Sequence, residues 1–336
     1  MGLFRFWKSG RRAADRVKGD GDKSDRRDSG KDKIKKDNEE DLNACMTTFG
    51  DLIGETNGLF PLEPVGIAVG TTPPLLDIVA VHGLGGHWQK TWTAENGKLW
   101  LRDFLPARLR DINIKAAIWS YGYNADTALS AAVTDLTDEA EMLLDRIKGE
   151  RDSTEEKARP IVFIAHSLGG ILIKKAIIRA QERSDLYGEL LSKIHGIIFL
   201  GTPHCGSDVA WWASIPANLL RALQLGTGTN TAYLKALTTN SAEFSLISQQ
   251  WVERSKNLTI RTFYETEMLC GVLVVDKGSA RLNLANETAV GLAGSNHRTL
   301  CKFESAGSQR YKPVLNAVKQ LAGEVRHRAM ANADSA

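Results

Sequence analysis

The stretch Ile161-Val162-Phe163-Ile164-Ala165-His166-Ser167-Leu168-Gly169-Gly170 decides the fold. Its apolar, largely β-branched first four residues follow a proline and predict a buried strand. After Ser167 the apolar residues recur at helical spacing, which predicts a helix. A serine on so sharp a turn needs small residues two places before and two places after it, and Ala165 and Gly169 stand there. The usual motif has glycine at the first of these positions, so Ala165 is a small departure. The pattern predicts a nucleophilic serine held clear of the sheet.

Strand and helix patterns alternate on both sides of this stretch. Such alternation predicts a mostly parallel central sheet flanked by helices, and the strand, turn and helix around the serine make it an α/β-hydrolase fold. The predicted strands are Leu75–Val81, Ile112–Trp119, Ile161–Ile164, Gly196–Leu200 and Leu258–Tyr264, and the main predicted helices are Leu99–Leu109, Asp126–Ile147 and Tyr311–Arg326.

The predicted hydrolase domain spans residues 71–328, after a lead-in at 41–70 and before a short disordered tail at 329–336. Residues 207–257 form a long insertion between two predicted strands, with tryptophans and leucines on helical spacings. An insertion of this length in a compact domain is usually functional, so we expect a helical cap. Its apolar residues fit either an acyl pocket or ordinary helix packing.

The first forty residues form a charged arm that differs from the rest of the chain. They carry thirteen Lys and Arg against nine Asp and Glu, a net charge of +4, so the remaining residues carry −1 of the chain's +3. Because residues 8–40 are almost without apolar side chains, we expect them to be disordered. Residues 1–12 combine Leu, Phe and Trp with Arg and Lys, which fits a targeting or membrane-contact segment or an ordinary frayed terminus. The folded part gives no reason to expect a nucleic-acid partner.

The rest of the composition suits an intracellular protein. No apolar run approaches the roughly 20 residues that a membrane-spanning helix needs, so we expect a cytoplasmic or peripheral membrane location. The four cysteines are widely scattered and predict neither a zinc site nor a disulfide framework. The expected chemistry requires no metal or organic cofactor.

A second motif, His82-Gly83-Leu84-Gly85-Gly86, directly follows the first predicted strand. Glycines let the backbone approach a substrate carbonyl closely, and this is the place where one half of an oxyanion hole belongs. The Leu84 N–H is expected to pair with the Leu168 N–H at the start of the helix after Ser167. The motif on its own would also fit a glycine-rich turn without a ligand.

A base and an acid complete the predicted site. His297 is the histidine that follows the last predicted strand, which suits the chain order nucleophile, acid, histidine. Glu265, just past the fifth strand, is the first choice for the acid, with Glu267 and Asp276 as alternatives. In the expected acyl transfer, His297, oriented by Glu265, removes the proton of Ser167 as the hydroxyl attacks an ester carbonyl.

Several segments together resemble one group of serine esterases: 79–86, 90–92, 165–170, 201–204, 263–266 and 296–298. This group includes the serine-active-site-containing lipase-like proteins, the GPI inositol-deacylases and the hydrolase domains of fungal NACHT-type receptors. The resemblance covers about residues 75–303. It implies an α/β-hydrolase fold, the triad Ser167, Glu265 and His297, and lipid or other carboxylic esters as substrates, with phospholipids of an endoplasmic reticulum or mitochondrial membrane among them.

Other functions use the same residues. A thioesterase or an amidase needs the same nucleophile, base and oxyanion hole, and the sequence does not separate these from an esterase. A catalytically quiet hydrolase-fold module for signalling or membrane tethering belongs to a different class. The apparently complete nucleophile, base and oxyanion set favours the enzyme, because a binding role does not require it.

Overall fold

A seven-stranded sheet forms the centre of the computed structural model, with strand order β1-β3-β2-β4-β5-β6-β7. The strand β1 is antiparallel to β3, and all the other neighbours run parallel. The fold class predicted from the sequence is therefore confirmed. The strands are β1 (Gly58–Pro61), β2 (Leu76–Val81), β3 (Ala116–Gly122), β4 (Ile161–His166), β5 (Ile194–Leu200), β6 (Thr259–Glu265) and β7 (Glu287–Leu292).

The structure describes residues 55–62, 73–125, 133–204 and 241–334. None of the helices in these ranges is long and apolar enough to cross a membrane. The helices, numbered in chain order, are α1 (Trp100–Asp103), α2 (Leu105–Arg110), α3 (Val133–Gly149), α4 (Thr154–Ala158), α5 (Gly169–Glu182), α6 (Ser184–Lys193), α7 (Ser241–Arg254), α8 (Lys277–Ala280) and α9 (Tyr311–Asp334), and a 3-10 turn covers Thr299–Cys301.

The central strands are buried on both faces, which explains their unbroken apolar sequences. Every residue of β2, β3 and β5 is buried. Val79 and Val81 of β2 belong to the core that α3, α5 and α7 cover, and the alternate residues Ile78 and Ala80 face the opposite side of the sheet. Helix α9 packs against β5 and β6. Helices on both faces leave the carboxyl ends of the strands to carry the site.

Some element predictions need correction. Five strands are predicted from the sequence, but β1 and β7 extend the sheet at its two edges. The first is only four residues long, and the second, Glu-Thr-Ala-Val-Gly-Leu, is half exposed, so neither gives a strong apolar signal. The strand predicted at Ile112–Trp119 begins instead at Ala116, because Asn113 turns the backbone with φ of +56°.

Two predicted segments lie mainly outside the described residues. The charged arm at 1–40, with its predicted targeting or membrane-contact segment, is one, and residues 207–240 of the predicted cap are the other. The described part of the cap range forms α7, which packs against α5. That helix buries Phe244, Ile247 and Trp251 in the same core as Val79 and Val81 of β2. Helix α9 continues to Asp334, so residues 329–334 of the tail predicted to be disordered are helical, and the other predicted domain boundaries stay predictions.

A buried ion cluster at the amino end of β2 gives a test of stability. Asp77 Oδ1 lies 2.9 Å from Arg159 Nη1, and Asp77 Oδ2 lies 3.3 Å from Arg151 Nη1, with all three side chains buried. Because Asp77→Asn leaves two buried guanidinium groups without this counter-charge, we expect it to lower the free energy of unfolding by about 3 kcal/mol or more. Chemical denaturation measures the change.

Asp111→Asn is the matched control for this prediction. Asp111 also pairs with an arginine, Arg108, at 3.0 Å, but its side chain is 52% exposed. Surface ion pairs contribute about 0 to 1 kcal/mol, so the control should change stability little. Equal losses in the two variants would contradict a special role for the buried cluster.

Candidate active site

Ser167 stands on a strained turn between β4 and α5. Its backbone φ is +54°, a left-handed value that residues with a side chain rarely adopt. The Ser167 N–H donates to the Leu200 carbonyl at 2.9 Å, which ties the turn to the end of β5. Strain of this kind persists where the surroundings impose it, and here it holds the hydroxyl above the sheet edge.

The small residues around Ser167 are required by close packing against the loop after β2. A Cβ atom on Gly169 would lie 2.3 Å from the His82 carbonyl oxygen, and one on Gly83 would lie 2.7 Å from the Ser167 Cβ. Ala165, where glycine is usual, is fully buried between Val81 and Phe199 in the sheet. The departure from the usual motif is therefore accommodated.

The structure brings the predicted nucleophile, base and acid together. Ser167 Oγ lies 2.9 Å from His297 Nε2, and His297 Nδ1 lies 3.3 Å from Glu265 Oε1. Ser167 is 3% exposed, and His297 and Glu265 are each 2% exposed. Both ring nitrogens of one histidine thus bridge a hydroxyl and a carboxylate, which is the arrangement of a catalytic triad.

Of the three candidate acids, only Glu265 approaches the histidine. It ends β6, and its Oε1 also accepts the Val275 N–H. Asp276 instead caps α8, since its Oδ1 accepts the Ser279 N–H at 2.8 Å. Glu267 is exposed two residues beyond the strand. Because Glu265 is the last residue of β6, the strand holds its carboxylate in place.

The Leu84 and Leu168 amides lie on two turns that meet at Gly83. A backbone bond from Gly86 N–H to the Gly83 carbonyl closes the first turn at 3.0 Å, and Gly85 has φ of +63°, a value that favours glycine. A Cβ on Gly83 would lie 3.1 Å from the Leu168 nitrogen. Within the described residues, neither the Leu84 N–H nor the Leu168 N–H has a hydrogen-bond acceptor.

Three further histidines, His82, His166 and His204, lie in the segments 79–86, 165–170 and 201–204 and have structural roles. The ring of His82 stacks on Tyr123 at 4.6 Å, and the Tyr123 hydroxyl donates to the His82 carbonyl. His166 Nε2 donates to the His297 carbonyl at 2.9 Å, and burial, assisted by nearby His297, lowers the pKa of His166 to about 3. Burial also lowers the pKa of His204 well below its usual value. His166 and His204 are therefore neutral at physiological pH.

Sequence reasoning missed the residues that hold the segment around His297. The Arg310 guanidinium donates to the carbonyls of Gly294, Thr299 and Lys302. The Trp100 indole N–H donates to the Cys301 carbonyl at 3.0 Å. No motif marks such residues, because they bond to backbone atoms that any sequence supplies. Among the described residues, no group of His, Cys, Asp and Glu is placed to hold a metal ion.

Comparison with known protein families shows the family to which the chain belongs. The family described as "Putative serine esterase (DUF676)" matches residues 78–263, more than half of the chain. The chain belongs to this serine esterase family. The matched residues include the Gly83–Gly86 turn and Ser167 and end two residues before Glu265. The family that the sequence resemblance implies is therefore confirmed.

The curated relatives are longer proteins. The chain is 24% identical over 293 residues to "Protein SERAC1" of Bos taurus, covering 78% of this chain and 41% of the relative. It is 25% identical over 295 residues to "Protein SERAC1" of Mus musculus, covering 80% and 42%. This member of the serine esterase family thus spans about two fifths of the length of the curated relatives it matches.

A solved lipase shares the fold. "Bacillus licheniformis lipase BlEst2 in mature form" superposes with a TM-score of 0.50 at 20% identity, covering 79% of this chain and 99% of the lipase. At this identity the likeness concerns the fold alone.

Proposed function

We propose that the chain hydrolyses carboxylic esters through an acyl-enzyme formed on Ser167. The observation that carries the proposal is the path of polar contacts from Ser167 Oγ through both nitrogens of His297 to Glu265, at 2.9 and 3.3 Å. A purely binding role would not require a buried hydroxyl, imidazole and carboxylate in this order.

In the first step, Ser167 Oγ forms a bond to the ester carbonyl carbon while His297 Nε2 takes the hydroxyl proton. The Nε2 atom must be unprotonated to accept it, so the Nδ1 atom carries the ring hydrogen and donates it to Glu265. The buried carboxylate thereby fixes the tautomer and stabilises the imidazolium that forms.

The carbonyl oxygen becomes negatively charged as its carbon becomes tetrahedral. The Leu84 and Leu168 amides are the donors that we assign to this oxyanion, because they flank Ser167 and have no acceptor in the described part of the chain. Donors fixed by two turns need no reorganisation at the moment of reaction, and one such donor typically changes kcat by about 100- to 1000-fold.

The remaining steps return the enzyme to its starting state. The carbon–oxygen bond to the alcohol breaks, and His297 gives its proton to the departing oxygen. Water then attacks the acyl-Ser167 carbonyl and gives a proton to His297, and the second tetrahedral intermediate collapses to free acid and Ser167. These steps use no metal or organic cofactor.

The surroundings of the nucleophile favour an apolar acyl group. Leu84, Leu168 and Leu300 are all buried close to the turn or to the base. A charged acyl group would lose its hydration there without compensation, whereas a hydrocarbon chain gains from leaving water. We therefore propose lipid-like acyl esters as the substrate class.

A fluorophosphonate probe tests the proposal on the folded chain of 336 residues. We expect one covalent label per molecule, which peptide mass spectrometry should locate on Ser167. In parallel, p-nitrophenyl esters from acetate to palmitate should be turned over, with kcat/KM rising with acyl length. Matching thioesters and anilides identify the preferred leaving group.

A folded chain that neither takes the label nor hydrolyses any of these esters would contradict the proposal. That result would favour the catalytically quiet interaction module. Circular dichroism and a cooperative thermal transition establish folding in each preparation, so that an inactive sample is not confused with an unfolded one.

A further inference from the structure

We propose that His166 is a positioning residue for the base, one that acts by holding the main chain of His297 through its Nε2–H. This inference rests on the proposed function, because it assigns a role in aiming His297 at Ser167. The contact that carries it is the 2.9 Å hydrogen bond from His166 Nε2 to the His297 carbonyl oxygen.

The bond completes a closed path between the turn and the base. His166 and Ser167 are consecutive residues, and each makes a hydrogen bond to the same residue, His297. Ser167 bonds to the side chain of His297 at 2.9 Å, and His166 bonds to its backbone. Because His166 ends β4, the rigid sheet fixes the distance from the nucleophile to the backbone that carries the base.

The chemistry of the contact determines the tautomer of His166. A carbonyl oxygen only accepts hydrogen bonds, so His166 Nε2 must carry a hydrogen. The two imidazole rings lie 5.1 Å apart, with their planes inclined by 44°. Since burial lowers the pKa of His166, its ring is neutral at physiological pH and does not repel the imidazolium of His297.

Other contacts keep this segment folded when the His166 bond is removed. Arg310 still bonds to the carbonyls of Gly294, Thr299 and Lys302, and the Asn296 side chain still accepts the Arg298 N–H. The loss of His166 should therefore shift or loosen the base without unfolding the protein. A misplacement of about 1 Å can cost about 100-fold in rate.

Glutamine and methionine provide a matched pair of substitutions at this position. They have nearly the same shape, but only the glutamine amide can donate to the carbonyl as His166 Nε2 does. We expect His166→Met to lower kcat on a soluble p-nitrophenyl ester by about 10- to 100-fold with KM changed less than about threefold. His166→Gln should recover kcat to within about fivefold of wild type.

Two further variants complete the experiment. His166→Asn keeps a polar side chain that is too short to reach the carbonyl, so it should resemble His166→Met and replaces it if the methionine variant does not fold. His327→Met, on the exposed end of α9, controls for the general effect of losing a histidine and should leave both constants unchanged.

The outcomes separate the two proposals. A kcat loss in the Met and Asn variants that the Gln variant recovers supports the positioning role. Equal kcat values for the folded Gln and Met variants, whether high or low, overturn it while the esterase proposal stands. A folded wild type without turnover overturns both.

Discussion

Ser167→Ala is expected to lower kcat for ester hydrolysis by about 10⁴- to 10⁶-fold and to abolish fluorophosphonate labelling. The reason is that, among the described residues, Ser167 supplies the hydroxyl that lies 2.9 Å from His297 Nε2. Residues that act as one catalytic unit give losses of this size when one of them is removed. Stopped assays over hours with purified variant measure the residual rate.

His297→Ala and the double variant make this prediction sharper. Because nucleophile and base act together, the two losses should not add, and the double variant should retain about the same residual rate as either single variant. Ser167→Ala removes one small buried group, so its thermal transition should stay close to wild type. A Ser167→Ala protein that retains more than about one tenth of the wild-type rate would rule out Ser167 as the nucleophile.

Glu265→Gln is expected to give a smaller but still large loss, about 10³- to 10⁴-fold in kcat. The amide has the same shape as the carboxylate, but it carries no charge and cannot stabilise the imidazolium of His297 as a carboxylate does. The Val275 N–H keeps an acceptor in the variant, since the amide oxygen can replace Oε1. KM should change little, because Glu265 contacts the base rather than the ester.

Glu267→Gln and Asp276→Asn are the controls for the acid. Neither carboxylate contacts His297: the first is exposed, and the second caps α8. The first should keep the wild-type rate, and the second should change stability little, because Asn caps a helix about as well as Asp does. A larger loss of kcat in either control than in Glu265→Gln would show that the acid has been wrongly assigned.

Much of the site could be predicted because its signals are local. The turn at Ser167 needs small neighbours within two residues, and an apolar strand must lead directly into a helix, so ten consecutive residues contain the whole pattern. The order of the chain then points to His297. The fold follows from the same alternation of strands and helices, and the predicted class is confirmed.

The rest depends on contacts between residues that are distant in the chain. The choice among three carboxylates stayed open, because only the end point of β6 and the cap of α8 distinguish Glu265 from Asp276. The support of the His297 backbone by Arg310 and His166 involves carbonyl groups, which carry no sequence signal. Strands β1 and β7 were missed because edge strands bury too little apolar surface to produce a clear pattern.

The distance along the chain between the nucleophile and its base also sets a schedule for synthesis. His297 follows Ser167 by 130 residues. Ribosomes add about 5–20 residues per second, so the serine is made roughly 7 to 26 seconds before the histidine. During that interval the nascent chain lacks the proposed proton acceptor of Ser167 and should not react with the probe. Reactivity should therefore begin only when almost the whole sheet has emerged, and a fluorophosphonate added to translating ribosomes should mark only chains in which His297 has been made.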